Sequence, residues 1–137
     1  MVTSEGTWLA GKKLLLKHGF KAIAEAPPSF TLMAKAFESA PLPFFPGDWE
    51  ARAKRFDKGL TVLRSDQCPY LEDATNGLLE AATEKGVKSR VIEIKTAAEA
   101  QNLSPSPYGV FNVVLDGRFL AYRYLLKEEF FQMLERK

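Results

Sequence analysis

"GLTVLRSDQCPYLEDATNGLLEAATEKGVKSRVIEIK", residues 59–95, decides how this chain folds. Its opening, "GLTVLRS" (59–65), is rich in Leu and β-branched side chains and reads as a strand. "PYLEDATNGLLEAATEKG" (69–86) reads as a helix with Pro69 at its first position and Gly86 closing it. Leu71, Ala74, Leu78 and Ala82 recur at helical spacing, and Leu79 widens the apolar stripe. Gly77 lies inside that helix and weakens it by about 1 kcal/mol relative to Ala. "VKSRVIEIK" (87–95) is the second strand, with Val91, Ile92 and Ile94 as core candidates. Strand, helix and strand in this order imply a parallel pair joined by a right-handed crossover.

Further along, "TAAEAQNL" (96–103) predicts a short helix, with Thr96 and Glu99 in a capping-box pattern. "SPSPYG" (104–109) is a loop punctuated by proline. "VFNVVL" (110–115) and "RFLAYRYL" (118–125) flank the turn pair Asp116-Gly117, which predicts an antiparallel hairpin. "KEEFFQMLERK" closes the chain as an amphipathic helix, with Phe130, Met133 and Leu134 inward. The order over residues 59–137 is β-α-β-α-β-β-α, the thioredoxin-like layout of an α/β mixed sheet with helices on both sides.

The chain before residue 59 is of another kind. "GTWLAGKKLLLKHGF" (6–20) predicts a helix with Trp8, Leu15 and Leu16 partly on one face. "FKAIAEA" (20–26) and "SFTLMAKAF" (29–37) predict two strands joined by Pro27-Pro28-Ser29. In the second, Phe30, Leu32, Ala34 and Ala36 alternate with Thr31, Met33, Lys35 and Phe37. An α-β-β piece over residues 1–37 is too small to stand alone and must pack on something. Residues 38–58, "ESAPLPFFPGDWEARAKRFDK", form a connector in which Pro41, Pro43 and Pro46 disfavour helix and Asp48 offers an N-cap for "WEARAKRFDKG". Phe44, Phe45, Trp49 and Phe56 argue for a strap packed on a domain surface over a floppy linker.

Composition excludes several classes. With 137 residues and 46% hydrophobic content the chain can bury a core. A formal charge of +2 does not imply nucleic acid, and Lys12, Lys13, Lys17 and Lys21 suit a solvated helix face. No apolar run approaches the roughly 18 residues that span a bilayer, and "MVTSEGTWLAGKK" lacks the basic-then-apolar order expected of a secretory signal. A cytoplasmic location and no membrane partner are expected. One Cys and one His cannot make an internal disulfide or an ordinary zinc site.

Two resemblances meet on this chain. Residues 11–37, "GKKLLLKHGFKAIAEAPPSFTLMAKAF", resemble the closing segment of GNAT-family acetyltransferases: a last helix, a "K-x-G-F" exit and two strands. Residues 59–137 resemble the YoaP-like domain that follows such a module, carried by "KGLTVLRSDQCPY" and "SPSPYGVFNVVLDGRF". "PLPFFPGDWEAR" joins them in the same pattern. The chain thus resembles the C-terminal part of a GNAT–YoaP-like fusion, with a GNAT-like remnant at residues 1–37 and most of the acetyltransferase missing. GNAT enzymes hold the CoA pyrophosphate on a Gly-rich turn at a helix start. None of the nine glycines here forms a G-x-G pair. Many members place a Tyr five residues before the Phe of "G-F" to protonate the CoA thiolate, and Leu15 stands there. The resemblance therefore implies no acetyl transfer by this chain alone. His18, a candidate base, also suits a solvated or capping position at a helix end.

The single cysteine raises a separate question. Cys68 stands at a strand–helix junction, where unpaired N–H groups and the helix dipole favour a thiolate. "C-P-Y" resembles the glutaredoxin nucleophile motif, but Leu71 occupies the resolving position and Asp66 opposes thiolate formation if it faces inward. The fold's cis-proline has candidates in Pro105 and Pro107, although the "V-L-D-G" hairpin aligns Gly109 with the expected place. Three readings stand. Cys68 is a small hydrophobe at the junction, a monothiol working with glutathione, or part of a ligand or peptide groove with Asp66, Gln67, Pro69, Tyr70, Pro107 and Tyr108.

The function expected is an accessory thioredoxin-like module, non-catalytic or substrate-presenting, related to acetyltransferases. Its rivals are a monothiol redox or glutathione-binding protein and part of a split N-acetyltransferase. No resident cofactor is expected; acetyl-CoA enters only with a separate GNAT half. A homodimer through residues 6–37, or a GNAT-domain partner, is expected from the unpaired strand edges.

Overall fold

The computed structural model describes residues 1–4 and 9–136, so Trp8 lies outside the described residues. The protein is a mixed α/β structure with two sheets, and it divides into two compact units, Met1–Gly47 and Asp48–Lys137. The division falls inside the stretch read as a connector.

In the first unit, β1 (Val2–Ser4), β2 (Lys21–Ala26) and β3 (Phe30–Ala34) build an antiparallel sheet of order β1-β3-β2, and α1 (Lys12–Lys17) lies between β1 and β2 in the chain. β1 was not anticipated; three residues are too few to show a period. The expected long helix shrinks to six residues, with Leu15 buried and Leu16 49% exposed. A helix of under two turns has one inward position here, so the adjacent Leu16 points elsewhere. β3 ends at Ala34, short of the expected Phe37, which is 84% exposed. Phe30, Thr31, Leu32 and Met33 are all buried, so both faces of this central strand are covered.

The second unit runs α2 (Trp49–Lys54), β4 (Leu60–Arg64), α3 (Tyr70–Glu84), β5 (Ser89–Glu93), α4 (Ala97–Leu103), β6 (Phe111–Leu115), β7 (Arg118–Ala121) and α5 (Lys127–Glu135). Its sheet has the order β5-β4-β6-β7. β4 pairs in parallel with β5 and antiparallel with β6, and β6 pairs antiparallel with β7. On one face, Leu60, Val62, Phe111, Val113 and Leu115 pack with Ala74, Leu78 and Ala82 of α3 and Phe130 of α5. On the other, Leu63 and Val114 pack with Ala53 and Phe56 at α2 and with Ile94. A fully buried Leu or Phe contributes about 1.5–3 kcal/mol, so these two layers dominate the unit's stability. β6 is buried along its whole length, Asn112 included, so both of its faces are covered.

Several local expectations hold. Thr96 Oγ1 accepts from Glu99 N at 3.1 Å, and Glu99 Oε2 accepts from Thr96 N at 3.1 Å, completing the capping box. Asp116 and Gly117 both have positive φ, 47° and 74°, as a tight hairpin turn requires. Phe130 is buried and Met133 and Leu134 pack beside the same core.

Others are corrected. Asp48 precedes α2 without capping it, because its carboxylate instead takes Arg52 Nε at 2.7 Å. Pro69 sits just before α3, one position earlier than expected. Val91 is 38% exposed, since β5 is an outer strand, and Ile94 is buried just past its end. β7 stops at Ala121, leaving Tyr122 and Tyr124 beyond the ladder.

The connector helix is tied down by charge. Arg52, 8% exposed, donates through Nη1 to the Gln101 carbonyl and, at 3.4 Å, to that of Ser104. Arg55 Nη1 donates to the Asn102 carbonyl at 3.2 Å. Two guanidinium groups thus satisfy the orphan carbonyls at the C-terminus of α4, where the helix dipole is negative.

Candidate functional site

The site forms where β4 ends and the chain turns into α3. Ser65 N donates to the Val110 carbonyl at 2.8 Å, and Ile94 N donates to that of Arg64 at 2.7 Å. These bonds hold the end of β4 between its two neighbours. Residues 66–69 then cross to α3, and the Cys68 carbonyl accepts from Leu71 N at 3.1 Å. Cys68 is partly buried and unpaired, whereas Asp66, Gln67, Pro69 and Tyr70 are exposed, Tyr70 at 77%.

Tyr108 approaches Cys68 from the loop before β6. Its phenol is pushed above the usual tyrosine range by burial and then by the negative charge that Cys68 carries when ionised. The Tyr108 ring meets Tyr122 edge-on, with centroids 5.7 Å apart. The loop is held by Asn112, a fully buried residue of β6. Asn112 Nδ2 donates to the Tyr108 carbonyl at 2.7 Å, and its Oδ1 accepts from Ser106 Oγ at 2.5 Å. Ser106 Oγ in turn accepts from Tyr108 N at 3.2 Å. A polar residue inside "VFNVVL" was the available signal for this clasp. The cis peptide bond among the described residues is Pro27-Pro28, and those before Pro107 and Gly109 are not cis.

Cys68, Tyr108 and Tyr122 thus form one cluster. Asp66 and Gln67 belong to a second feature beside it, a cavity of about 350 Å³ between the ends of β4 and β5. Arg64, Ser65, Glu93, Ile94 and Lys95 complete its lining. Arg64 Nη2 meets Glu93 Oε1 at 3.3 Å, and Lys95 Nζ lies 4.0 Å from Glu93 Oε2. The buried hydroxyls of Ser65 and Ser104 have no hydrogen-bond partner among the described residues. Sequence reasoning missed this cavity, because charged residues at two strand ends meet only once the parallel register is known.

The other candidates lie apart. His18 follows α1, and its carbonyl accepts from Lys35 Nζ at 2.9 Å. Leu15 is core. A larger cavity in the first unit, about 940 Å³, is bounded by Ser4 and Leu9, which flank residues outside the description. Among the described residues, no group of three or more His, Cys, Asp or Glu is arranged to hold a metal ion, and no helix is long and apolar enough to cross a membrane.

The chain is similar to the uncharacterized N-acetyltransferase YoaP of Bacillus subtilis (strain 168). The two are 31% identical over 128 residues, which covers 93% of this chain and 50% of that protein. The chain therefore spans half the length of this curated relative, and the match includes most of both units. No family profile matches the chain, and no solved structure does.

Proposed function

We propose that this chain is a GNAT-related accessory module that works with an N-acetyltransferase and is not competent for acetyl transfer by itself. The observation that carries this reading is the 31% identity to an N-acetyltransferase across 93% of the chain. Support for a thioredoxin-like second unit comes from its sheet, with a parallel β4–β5 pair and the order β5-β4-β6-β7. Support for a GNAT-type closing segment comes from the antiparallel β1-β3-β2 sheet and the short helix before β2. The absence of any G-x-G pair and the apolar Leu15 support the lack of independent catalysis. Acetyl-CoA would then be held by GNAT residues outside this sequence, and the second unit would present the acceptor.

Calorimetry with acetyl-CoA tests this directly. The chain alone should bind none, and a preparation completed with an N-terminal GNAT half should bind it and turn over an amine acceptor. Binding by the chain alone overturns the claim of incompetence; failure of every completed preparation overturns the acetyltransferase relation.

A second reading, monothiol chemistry, is favoured by the partly exposed Cys68 beside Tyr108. It requires a mixed disulfide on incubation with oxidised glutathione, and an unmodified mass sinks it. The outer strands β1 and β2 also suit edge pairing with a second copy, which sedimentation showing a dimer would support.

A further inference from the structure

The cavity between the ends of β4 and β5 has a composition that selects its ligand. It opens at the carboxyl ends of two parallel strands, beside the point where β4 has β5 on one side and β6 on the other. Ligands of open α/β sheets gather at such crevices. Its walls carry two cations, Arg64 and Lys95, and two anions, Asp66 and Glu93. An apolar ligand would strip water from four charges and return nothing. A simple anion would face both carboxylates, and a simple cation would face the guanidinium and the ammonium. A molecule bearing both charges answers all four.

Two details show unused binding capacity. Ser65 is 5% exposed and lines the cavity, yet its Oγ has no hydrogen-bond partner among the described residues. A buried hydroxyl left so is costly unless a ligand or water engages it. Arg64 has a five-donor fork, of which Glu93 takes one donor over a long 3.3 Å. A carboxylate placed there would be gripped in the two-pronged manner that guanidinium favours. The volume, about 350 Å³, lies at the small end of ligand pockets.

We propose that this cavity binds a free polar α-amino acid, its carboxylate on Arg64 and Lys95, its ammonium on Asp66 and Glu93, and Ser65 hydrogen-bonded to it. That the bound amine serves as an acetyl acceptor rests on the acetyltransferase reading; the binding itself does not.

The test uses the full chain, isotope-labelled, titrated with L-serine and L-glutamine in the absence of acetyl-CoA. At least one should give saturable amide shifts confined to residues 64–67 and 93–95. N-acetyl-L-glutamine and L-glutamine amide, each lacking one charge, should bind about tenfold more weakly than L-glutamine. Ser65→Ala should weaken binding about threefold while leaving the urea midpoint unchanged or raised, since it removes an unpartnered hydroxyl. No saturable shift with either amino acid up to about 10 mM, equal binding of the charge-blocked forms, or undiminished binding by Ser65→Ala overturns the proposal. Failure here with acetyl-CoA binding intact in the completed enzyme would leave the acetyltransferase reading standing.

Discussion

Asn112 Nδ2 donates to the Tyr108 carbonyl across 2.7 Å, so one buried amide in β6 sets the position of the loop that faces Cys68. The same side chain accepts from Ser106, making the loop a closed hydrogen-bonded ring. Asn112→Leu should therefore cost about 2–3 kcal/mol, because it strands two polar groups in the interior. Urea denaturation measures the loss, and amide exchange should quicken first at residues 106–110. Unchanged exchange there would refute the role given to Asn112.

Arg52 caps α4 from a neighbouring helix while its Nε engages Asp48 and its guanidinium lies 5.3 Å from the Trp49 ring. Arg52→Ala should cost about 3 kcal/mol, the scale of charge-assisted bonds lost together. Arg52→Lys should recover less than half of that, because a point charge cannot serve three directions as a planar fork does. A lysine variant as stable as the parent chain would show that net charge alone matters.

Glu129 receives Arg123 Nη2 at 2.9 Å and Leu126 N at 3.0 Å. The side-chain bond from Arg123, then the backbone bond, hold its pKa down at about 2, against an ordinary 4.5. The sign follows from the lowered value. The contribution is fully present above about pH 4.5 and is lost as pH falls towards 2. Glu129→Gln should flatten the stability profile in that window and leave the profile above pH 5 parallel to that of the parent. The effect is small, since the carboxylate side chain is 35% exposed.

Two glycines make opposite predictions. A Cβ on Gly59 would fall 2.2 Å from the Lys88 carbonyl oxygen, and its φ is +69°. Gly59→Ala should cost more than about 2 kcal/mol from the left-handed backbone and the clash together. Gly77 lies in the middle of α3 with nothing within 4 Å of a built Cβ. Gly77→Ala should raise stability by about 1 kcal/mol, read as a higher urea midpoint.

Local signals were legible where chemistry and period agreed. The helix from Tyr70, the Thr96 box and the Asp116-Gly117 turn each followed from side chains within a few residues of one another. Val91 misled because its apolar character says nothing about which strand lies outermost. Asp48 misled because a buried guanidinium outcompeted the backbone N–H for its carboxylate. The Arg64–Glu93 pair lies 29 positions apart in sequence, and no local pattern reports a pairing that depends on parallel register.

The anchoring of α2 also bears on where this protein can be divided. A cut placed at Gly59, where the strand pattern begins, would discard the two arginines that terminate α4 and the Phe56 carbonyl that accepts from Gly117 N at 2.8 Å. The second compact unit begins instead at Asp48, ahead of α2. What looks like spacer in the alphabet of the chain is, for excision and for grafting, the first piece of the second unit's interior.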